Sequence, residues 1–143
     1  ENAVAIGIGE MDCKTVDSVN IKRATKLAML QAVENLKDAD GNRVVPDYLL
    51  IDAEKLDIEI PQLNIIKGDA KCHGIAAASI IAKVTRDKRM EEIDKLYPEY
   101  KFAKNKGYGT REHINALLEY GPCQIHRNTF LKNILNKQEQ LSI

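Results

Sequence analysis

The sequence predicts one α/β domain over residues 1–143, and three observations support this fold class. The 143 residues are enough for a single hydrophobic core but too few for two independent enzymes. Apolar residues make up 44% of the chain and charged residues 29%, a balance that excludes disordered, collagen-like and disulfide-scaffold proteins. Segments with strand and helix periodicity alternate in the order strand, helix, strand, strand, helix, helix, which is typical of a layered α/β structure.

The first half of the chain carries three predicted strands and one helix. Residues 3–11 are rich in branched apolar side chains and predict a strand. A helix follows, with Asn20 as its predicted N-cap, and a turn at residues 40–42 ends the helical region. Residues 48–51 form an unbroken apolar run that predicts a strand buried on both faces. Residues 63–66 predict the next strand.

Three helices are predicted in the second half. The first, over residues 75–93, carries small residues that would pack closely on a sheet, and Pro98 marks its end. Thr110 is the predicted N-cap of the next helix, which stops at residues 121–122. A last helix is predicted over residues 129–138.

The cysteine pattern and the lack of long apolar runs indicate a cytoplasmic protein. Cys13, Cys72 and Cys123 are odd in number and lack metal-ligand spacing, which predicts three reduced thiols. No apolar run approaches the roughly 20 residues of a membrane helix, and the N-terminus lacks the pattern of a signal peptide. We therefore expect no membrane partner.

A formal net charge of zero hides a division of charge along the chain. Residues 1–69 carry 8 Lys and Arg against 13 Asp and Glu, whereas residues 70–143 carry 13 against 8. Two interpretations are open. The charges form solvated helix faces, or an acidic cation-binding centre lies beside a basic surface that binds phosphate.

Two aspartates follow predicted strands. Asp52 comes directly after the strand at residues 48–51, and Asp69 follows the next strand. Ligands bind at the carboxyl ends of strands in open α/β sheets, and neighbouring strands would bring these two side chains close together. Bare carboxylates repel each other, but Mg²⁺ or Mn²⁺ between them would offset that repulsion. The alternative is that each aspartate only caps a helix or ends a turn.

Basic and aromatic side chains occur on and after the long helix. Lys83 could reach a phosphate oxygen and Asp87 could hold a neighbouring arginine, but a solvated, salt-bridged helix face is the alternative. The next loop interleaves basic with aromatic residues, as contacts to nucleic-acid backbone and sugar require, or it is a lysine-rich surface with aromatics anchored in the core. The basic residues are Lys101, Lys104, Lys106 and Arg111, and the aromatic ones are Tyr100, Phe102 and Tyr108.

Several common site patterns are absent from the sequence. The three histidines are too scattered for a local metal motif, and His126 is expected to be structural, although it and Arg127 could contact phosphate. Ser79 has no local histidine partner and no nucleophile elbow, which excludes a serine hydrolase. Gly7 and Gly9 lack the third glycine of a phosphate-binding fingerprint.

Longer motifs resemble those of the ribonuclease HII family, the type 2 ribonucleases H. Residues 15–29 resemble the family's first helix region, and residues 48–52 resemble its acidic strand end. The likeness runs from about residue 4 to residue 130. The most distinctive blocks are Ile65–Ala70 and Ile75–Asp87, followed by Gly107–Thr110, His113, Gly121–Pro122 and His126–Arg127.

This resemblance implies a ribonuclease H-like mixed sheet flanked by helices. It implies an endonuclease that cleaves the RNA strand of RNA/DNA hybrids and incises DNA duplexes at embedded ribonucleotides. Asp52 and Asp69 would be two of the catalytic acids that hold two divalent cations, Mg²⁺ or Mn²⁺. Tyr108 would pack on the sugar next to the ribonucleotide, and the polar groups of Lys83, Ser79 and Arg127 would bind the substrate. The complete protein is expected to be a monomer.

Residues 1–143 depart from the family pattern at their N-terminal side. The family opens with a strand carrying Asp-Glu-Ala-Gly-Arg-Gly, whose two acids complete the metal site, and neither that segment nor the later Asp-Ser-Lys-Lys occurs here. We therefore expect an N-terminally incomplete domain, lacking half of the catalytic acids and inactive alone. The alternative is a non-catalytic member of the family that only binds nucleic acid.

Overall fold

A computed structural model describes residues 3–132, in which short strands and helices alternate along the chain. This is the mixed α/β class that the sequence predicts. The strands are β1 (Ala5–Ile6), β2 (Lys37–Asp38), β3 (Leu49–Asp52) and β4 (Gln62–Ile65). The helices are α1 (Cys13–Val19), α2 (Ile21–Glu34), α3 (Gly68–Lys71), α4 (His73–Leu96), α5 (Phe102–Asn105) and α6 (Arg111–Tyr120), with a 3-10 turn at Pro98–Tyr100.

The chain divides into two compact units, residues 1–80 and residues 81–143. The first unit contains both strand pairs, and the second contains a small aromatic core. The expectation of a single domain stays a prediction, because compactness alone does not report whether segments unfold together. Among residues 3–132, no helix combines the length and the apolar character that crossing a membrane requires.

The strand predicted over residues 3–11 is shorter than expected. Only β1 is extended and paired, antiparallel to β2, with Ala5 opposite Asp38. Beyond β1 the backbone lies against α2, where a Cβ on Gly9 would collide with the carbonyl of Ala28. The Ile8 carbonyl accepts a hydrogen bond from the Asn35 side chain at 2.9 Å. The prediction was wrong in length because this backbone hydrogen-bonds to the side chains of Gln31 in α2 and of Asn35, its C-cap, rather than to a strand.

The helix predicted to begin after Asn20 is confirmed as α2. The Asn20 side chain accepts a hydrogen bond from the backbone N–H of Arg23 at 3.1 Å. Asn20 has a φ of 68°, which separates α2 from the preceding helix α1. Asp12 caps α1 by accepting from the Thr15 N–H at 2.7 Å. Residues 15–29, which resemble the family's first helix region, are therefore divided between two helices at Asn20.

Strands β3 and β4 form a parallel pair that sets the position of Asp52. Leu49 lies opposite Gln62, and Asp52 lies opposite Ile65, the last residue of β4. The connecting loop is anchored by the Gln62 side chain, which accepts from the N–H and donates to the carbonyl of buried Leu56. Both strands therefore end at the same edge, as the sequence predicts.

One face of this pair is exposed. Leu50 is 48% exposed and its register partner Leu63 is 49% exposed, whereas Ile51 on the other face is buried. The expectation that residues 48–51 are buried on both faces was wrong, because within residues 3–132 the face that carries Leu50 is left uncovered. The small residues Ala77 and Ala78 of α4 are likewise exposed rather than packed on a sheet.

The second unit is built on an aromatic core between the end of α4 and α6. The Thr110 hydroxyl accepts from the His113 N–H at 3.3 Å, which confirms Thr110 as the N-cap of α6. Gly121 ends α6 with a φ of 75°. The buried residues of the core are Tyr100, Phe102, Ala116, Leu117 and Leu131.

The remaining predicted helices agree with the structure over the part that it describes. Helix α4 is longer than predicted at both ends and stops before Pro98. Residues 128–132 are helical, and the rest of the helix predicted over residues 129–138 lies outside the described residues. Within residues 3–132 the three cysteines form no disulfide, and their reduced state stays a prediction.

Candidate functional site

The two aspartates predicted from the sequence lie around the turn from β4 into α3. Asp52 ends β3, beside Ile65 of β4. Its Oδ1 atom accepts a hydrogen bond from the backbone N–H of Gly68 at 2.8 Å. Asp69 is the next residue along, in the first turn of α3, and its Oδ1 accepts from the Ala70 N–H at 2.9 Å. The structure therefore brings both carboxylates to one turn of the first unit.

Gly68 makes this arrangement possible. The chain enters the turn through Lys67, which has a left-handed φ of 56°. Gly68 is buried, and a Cβ there would lie 2.6 Å from Cδ1 of Ile75 and 3.3 Å from Oδ1 of Asp52. A side chain would therefore separate the Gly68 N–H from the carboxylate that it holds.

The two carboxylates suit part of a divalent-cation site. Both aspartates are exposed, and in residues 3–132 neither takes part in an ion pair. Mg²⁺ commonly binds one or two carboxylates and completes its shell with water and substrate phosphate. The described residues contain no cluster of three or more His, Cys, Asp or Glu side chains that could hold a metal ion. Asp52 and Asp69 therefore fit as contributors to a site rather than as a complete cage.

In the second unit, Tyr108 presents an exposed ring held by Arg86 of α4. The ring is 61% exposed. Arg86 Nη1 donates to the Tyr108 hydroxyl at 3.2 Å and Nη2 donates to the Lys106 carbonyl at 2.9 Å. The guanidinium carbon lies 5.0 Å from the ring centroid, within cation–π range. The sequence pattern selected Tyr108 but missed its contact with Arg86, which lies 22 positions away.

The other candidate substrate contacts have partners close to them in sequence. Lys83 Nζ lies 3.3 Å from Oδ2 of Asp87, so the expectation that Asp87 holds an arginine was wrong. The i,i+4 spacing on α4 favours that lysine. Ser79 is exposed and its hydroxyl donates to a backbone carbonyl one turn earlier. The Arg127 guanidinium stacks on the Phe130 ring, with its carbon 5.0 Å from the centroid.

The basic loop, residues 100–111, combines two features: some of its aromatic side chains anchor the core, and one is exposed and can contact a ligand. Tyr100 and Phe102 are 3% and 2% exposed, so they anchor the core, whereas Tyr108 faces solvent. Lys104 Nζ pairs with Glu112 at 2.7 Å, and this hydrogen bond together with the lysine charge lowers the pKa of Glu112. The exposed surface of the loop is therefore partly neutralised.

His113 and His126 form a contact that sequence reasoning missed. Their Nε2 atoms lie 3.2 Å apart. His113 Nδ1 lies 3.1 Å from the Asn105 side-chain nitrogen, and His126 Nδ1 accepts from the Cys123 N–H at 3.0 Å. Burial, and then the charge of His113, lowers the pKa of His126. The pair depends on the packing of α6 against the loop that follows, which no local motif encodes.

Comparisons with known proteins agree on one family. The family model described as "Ribonuclease HII" matches residues 1–133. A protein named Ribonuclease HII from Alkaliphilus oremlandii is 53% identical over 135 residues, which cover 94% of this chain and 66% of the relative. Proteins of the same name from Alkaliphilus metalliredigens and Caldicellulosiruptor saccharolyticus are 51% and 50% identical, with 94% of this chain and 66% and 63% of each relative covered.

These matches extend along nearly the whole chain and include both aspartates and the Tyr108 loop. The chain spans just under two thirds of the length of these curated relatives. The extent of the family match and the identity of about 50% together assign the chain to one protein family. This chain belongs to the ribonuclease HII family.

Proposed function

We propose that this protein is an endonuclease that hydrolyses the RNA strand of RNA/DNA hybrids and incises DNA at embedded ribonucleotides. Membership of the ribonuclease HII family supports this reaction class. The observation that carries the proposal is the turn at Gly68, whose N–H binds Asp52 directly beside Asp69. Paired carboxylates are the usual protein ligands of divalent cations in phosphodiester hydrolysis.

In this proposal Asp52 and Asp69 are catalytic acids that hold Mg²⁺ or Mn²⁺. When bound, such ions activate the attacking water and stabilise charge on the leaving 3′ oxygen. The Gly68 N–H occupies Oδ1 of Asp52 and so fixes the orientation of that carboxylate. The exposure of both side chains leaves room for substrate phosphate at the same edge.

The substrate side of the proposal assigns the sugar to Tyr108 and the phosphodiester backbone to Lys83, Ser79 and Arg127. An exposed aromatic ring suits packing on the sugar next to the ribonucleotide, whose own 2′-hydroxyl is the group that distinguishes RNA from DNA. The side chain of Lys83 is 66% exposed, which supports a phosphate contact. The excess of basic residues after residue 69 favours a polyanionic partner.

We propose that residues 1–143 alone do not hydrolyse the nucleic-acid substrate. The described residues supply two carboxylates at the turn and no cluster of three ligating side chains. The complete enzyme would act as a monomer in the cytoplasm, and the absence of a disulfide between described cysteines agrees with a reducing compartment.

The test compares this chain with a completed chimera, in which the residues of the Alkaliphilus oremlandii relative outside the match are joined to it. Each protein is mixed with Mg²⁺ or Mn²⁺ and an end-labelled DNA duplex containing one ribonucleotide. We expect the chimera to nick the duplex and the 143-residue chain to leave it intact. In the chimera, Asp52→Asn should abolish nicking, whereas Asp57→Asn, at an exposed position in the β3–β4 loop, should not.

Each other outcome contradicts a named part of the proposal. Nicking by the unmodified chain that is lost in Asp52→Asn would refute its inactivity. A folded chimera that binds hybrids without cleaving them would favour a non-catalytic nucleic-acid-binding protein. Full activity of Asp52→Asn would remove Asp52 from the catalytic acids.

A further inference from the structure

The contact between Arg86 and Tyr108 fixes an orientation, because one planar group binds two points of the loop. One guanidinium nitrogen donates to the Tyr108 hydroxyl and another to the Lys106 carbonyl. The guanidinium is rigid, so two simultaneous hydrogen bonds determine where the ring lies relative to the backbone two residues before it. A single point charge would not provide this constraint.

The backbone of the same loop is held separately. Lys106 and Gly107 have left-handed φ values of 51° and 79°, and the Tyr108 N–H donates to the Asn105 carbonyl at 2.9 Å. Lys106 Nζ also pairs with Glu91 of α4 at 2.9 Å. The main chain therefore has its own anchors, and Arg86 is the described residue that hydrogen-bonds the exposed ring.

An exposed aromatic side chain that must meet a ligand in one rotamer loses conformational entropy on binding. The Tyr108 ring is 61% exposed, and an interaction that holds its orientation beforehand removes part of that cost. Arg86 can supply this interaction at little cost to its own donor capacity, since a guanidinium has five N–H donors.

We propose that Arg86 is a positioning residue that holds the Tyr108 ring in the orientation in which it meets the sugar next to the ribonucleotide. The inference rests on the proposed function, because it assumes that Tyr108 contacts the sugar. It adds that ribonucleotide selection depends on the hydrogen-bond geometry of Arg86 and not only on its charge.

The first measurement is spectroscopic and uses the 143-residue chain with labelled tyrosine. The Tyr108 ring signal is assigned by its loss in Tyr108→Phe, and the signal of buried Tyr100 reports whether the core is intact. Arg86→Gln should move the Tyr108 signal and leave Tyr100 in place. The control is Arg89→Gln, on the same helix, because Arg89 pairs with Glu92 at 3.2 Å on an exposed surface.

The second measurement uses the completed chimera and two ligands. One is a duplex with a single ribonucleotide, for which kcat/KM of nicking is measured, and the other is an all-DNA duplex, for which Kd is measured. Arg86→Gln should lower kcat/KM about fivefold more than it weakens DNA binding, which corresponds to about one net hydrogen bond. Arg86→Lys keeps the charge, so its DNA binding should match that of the wild type. Its kcat/KM for the ribonucleotide duplex should stay lowered as in Arg86→Gln. Tyr108→Ala should show the largest selective loss.

The outcomes separate this proposal from the proposed function. An unmoved Tyr108 signal in Arg86→Gln, or full rescue of selective nicking by Arg86→Lys, would overturn the positioning role. If Arg86→Gln disturbs Tyr100 as well, Tyr108→Phe decides, because removal of the hydroxyl acceptor alone should reproduce part of the selective loss, and no loss would overturn the role. A folded wild-type chimera that does not nick would contradict the proposed function, whereas an unmoved Tyr108 signal in a nicking chimera would overturn the positioning role alone.

Discussion

Gly68 links the candidate carboxylates at the scale of a single residue. Its N–H binds Asp52, and its position next in sequence to Asp69 places the second carboxylate at the same turn. The absence of a side chain is what allows the contact, since a Cβ would meet Oδ1 of Asp52 at 3.3 Å and Cδ1 of Ile75 at 2.6 Å. The Ile75 contact is with the end of a flexible side chain, so the strain it causes can be partly relieved.

Gly68→Ala is therefore expected to disturb the site more than the fold. The added methyl group should cost about 1 to 2 kcal/mol in the free energy of unfolding, the lower range for overpacking a buried site. It should also displace Asp52 and lower Mg²⁺ affinity, because the N–H no longer holds the carboxylate. Urea unfolding and calorimetric titration of Mg²⁺ on the completed chimera measure the two effects.

Gly74→Ala is the matched control. Its nearest neighbour to an added Cβ is Cys72 Sγ at 3.9 Å, an ordinary contact, and it lies within α4. Alanine favours a helix over glycine by up to about 1 kcal/mol, so this variant should be as stable as the parent or more stable. Unchanged Mg²⁺ affinity in Gly68→Ala would show that the hydrogen bond from Gly68 to Asp52 does not contribute to metal binding.

At the scale of elements, the His113–His126 contact ties α6 to the loop after it. Two imidazoles with Nε2 atoms 3.2 Å apart can share one proton, but two imidazolium ions at that distance repel each other. Tyr100, Phe102, Asn105 and Cys123 surround the pair, and the described contacts include no carboxylate that would offset a second charge.

Acid should therefore weaken the second unit. The pKa of His126 in the folded protein is lowered from its usual 6.5, so the unfolded chain takes up the proton at a higher pH than the folded chain. Stability should fall as the pH drops below about 6.5 and should stop falling once the folded form is also protonated. Unfolding midpoints between pH 7.5 and 5 measure this loss.

His126→Gln should reduce that pH dependence, because the titrating ring is removed. His73→Gln is the control, since His73 is exposed at the start of α4 and should leave the profile unchanged. A pH dependence that survives in His126→Gln would assign the loss to other groups.

The elements also show what local sequence can predict. Helices α2 and α6 have Asn20 and Thr110 as their N-caps, as expected, because an N-cap is a contact within three residues. The placement of Asp52 and Asp69 follows from where neighbouring strands end, so their proximity was predictable as well, although their chemical roles stay a prediction. Contacts between distant segments were not predictable, such as the one between Arg86 and Tyr108.

Exposure was the least predictable property, because it depends on what covers an element. The run at residues 48–51 is apolar enough for a strand between two layers, yet Leu50 is 48% exposed. Similarly, the glycines at positions 7 and 9 do not form a phosphate loop, but nothing local shows that they allow the chain to pass close to α2.

At the scale of the whole chain, the two compact units differ in composition and in core. The two candidate carboxylates lie in the first unit, and the Tyr108 loop lies in the second. The core cluster of the second unit consists of five buried residues between positions 100 and 131, with partly buried neighbours from α4. A substitution in the second core can therefore be chosen at a residue that lies outside β3 and β4.

Leu117→Ala tests how far the two units depend on each other. Leu117 is 4% exposed in the aromatic core, so its truncation should cost roughly 2 to 4 kcal/mol. Leu118→Ala, one position along α6 and 41% exposed, should cost well under half as much. Hydrogen exchange should show lost protection in α6, with β3 and β4 affected less, because separate cores open separately. Equal loss in the strands would instead establish that residues 3–132 unfold as the single domain that the chain length predicts.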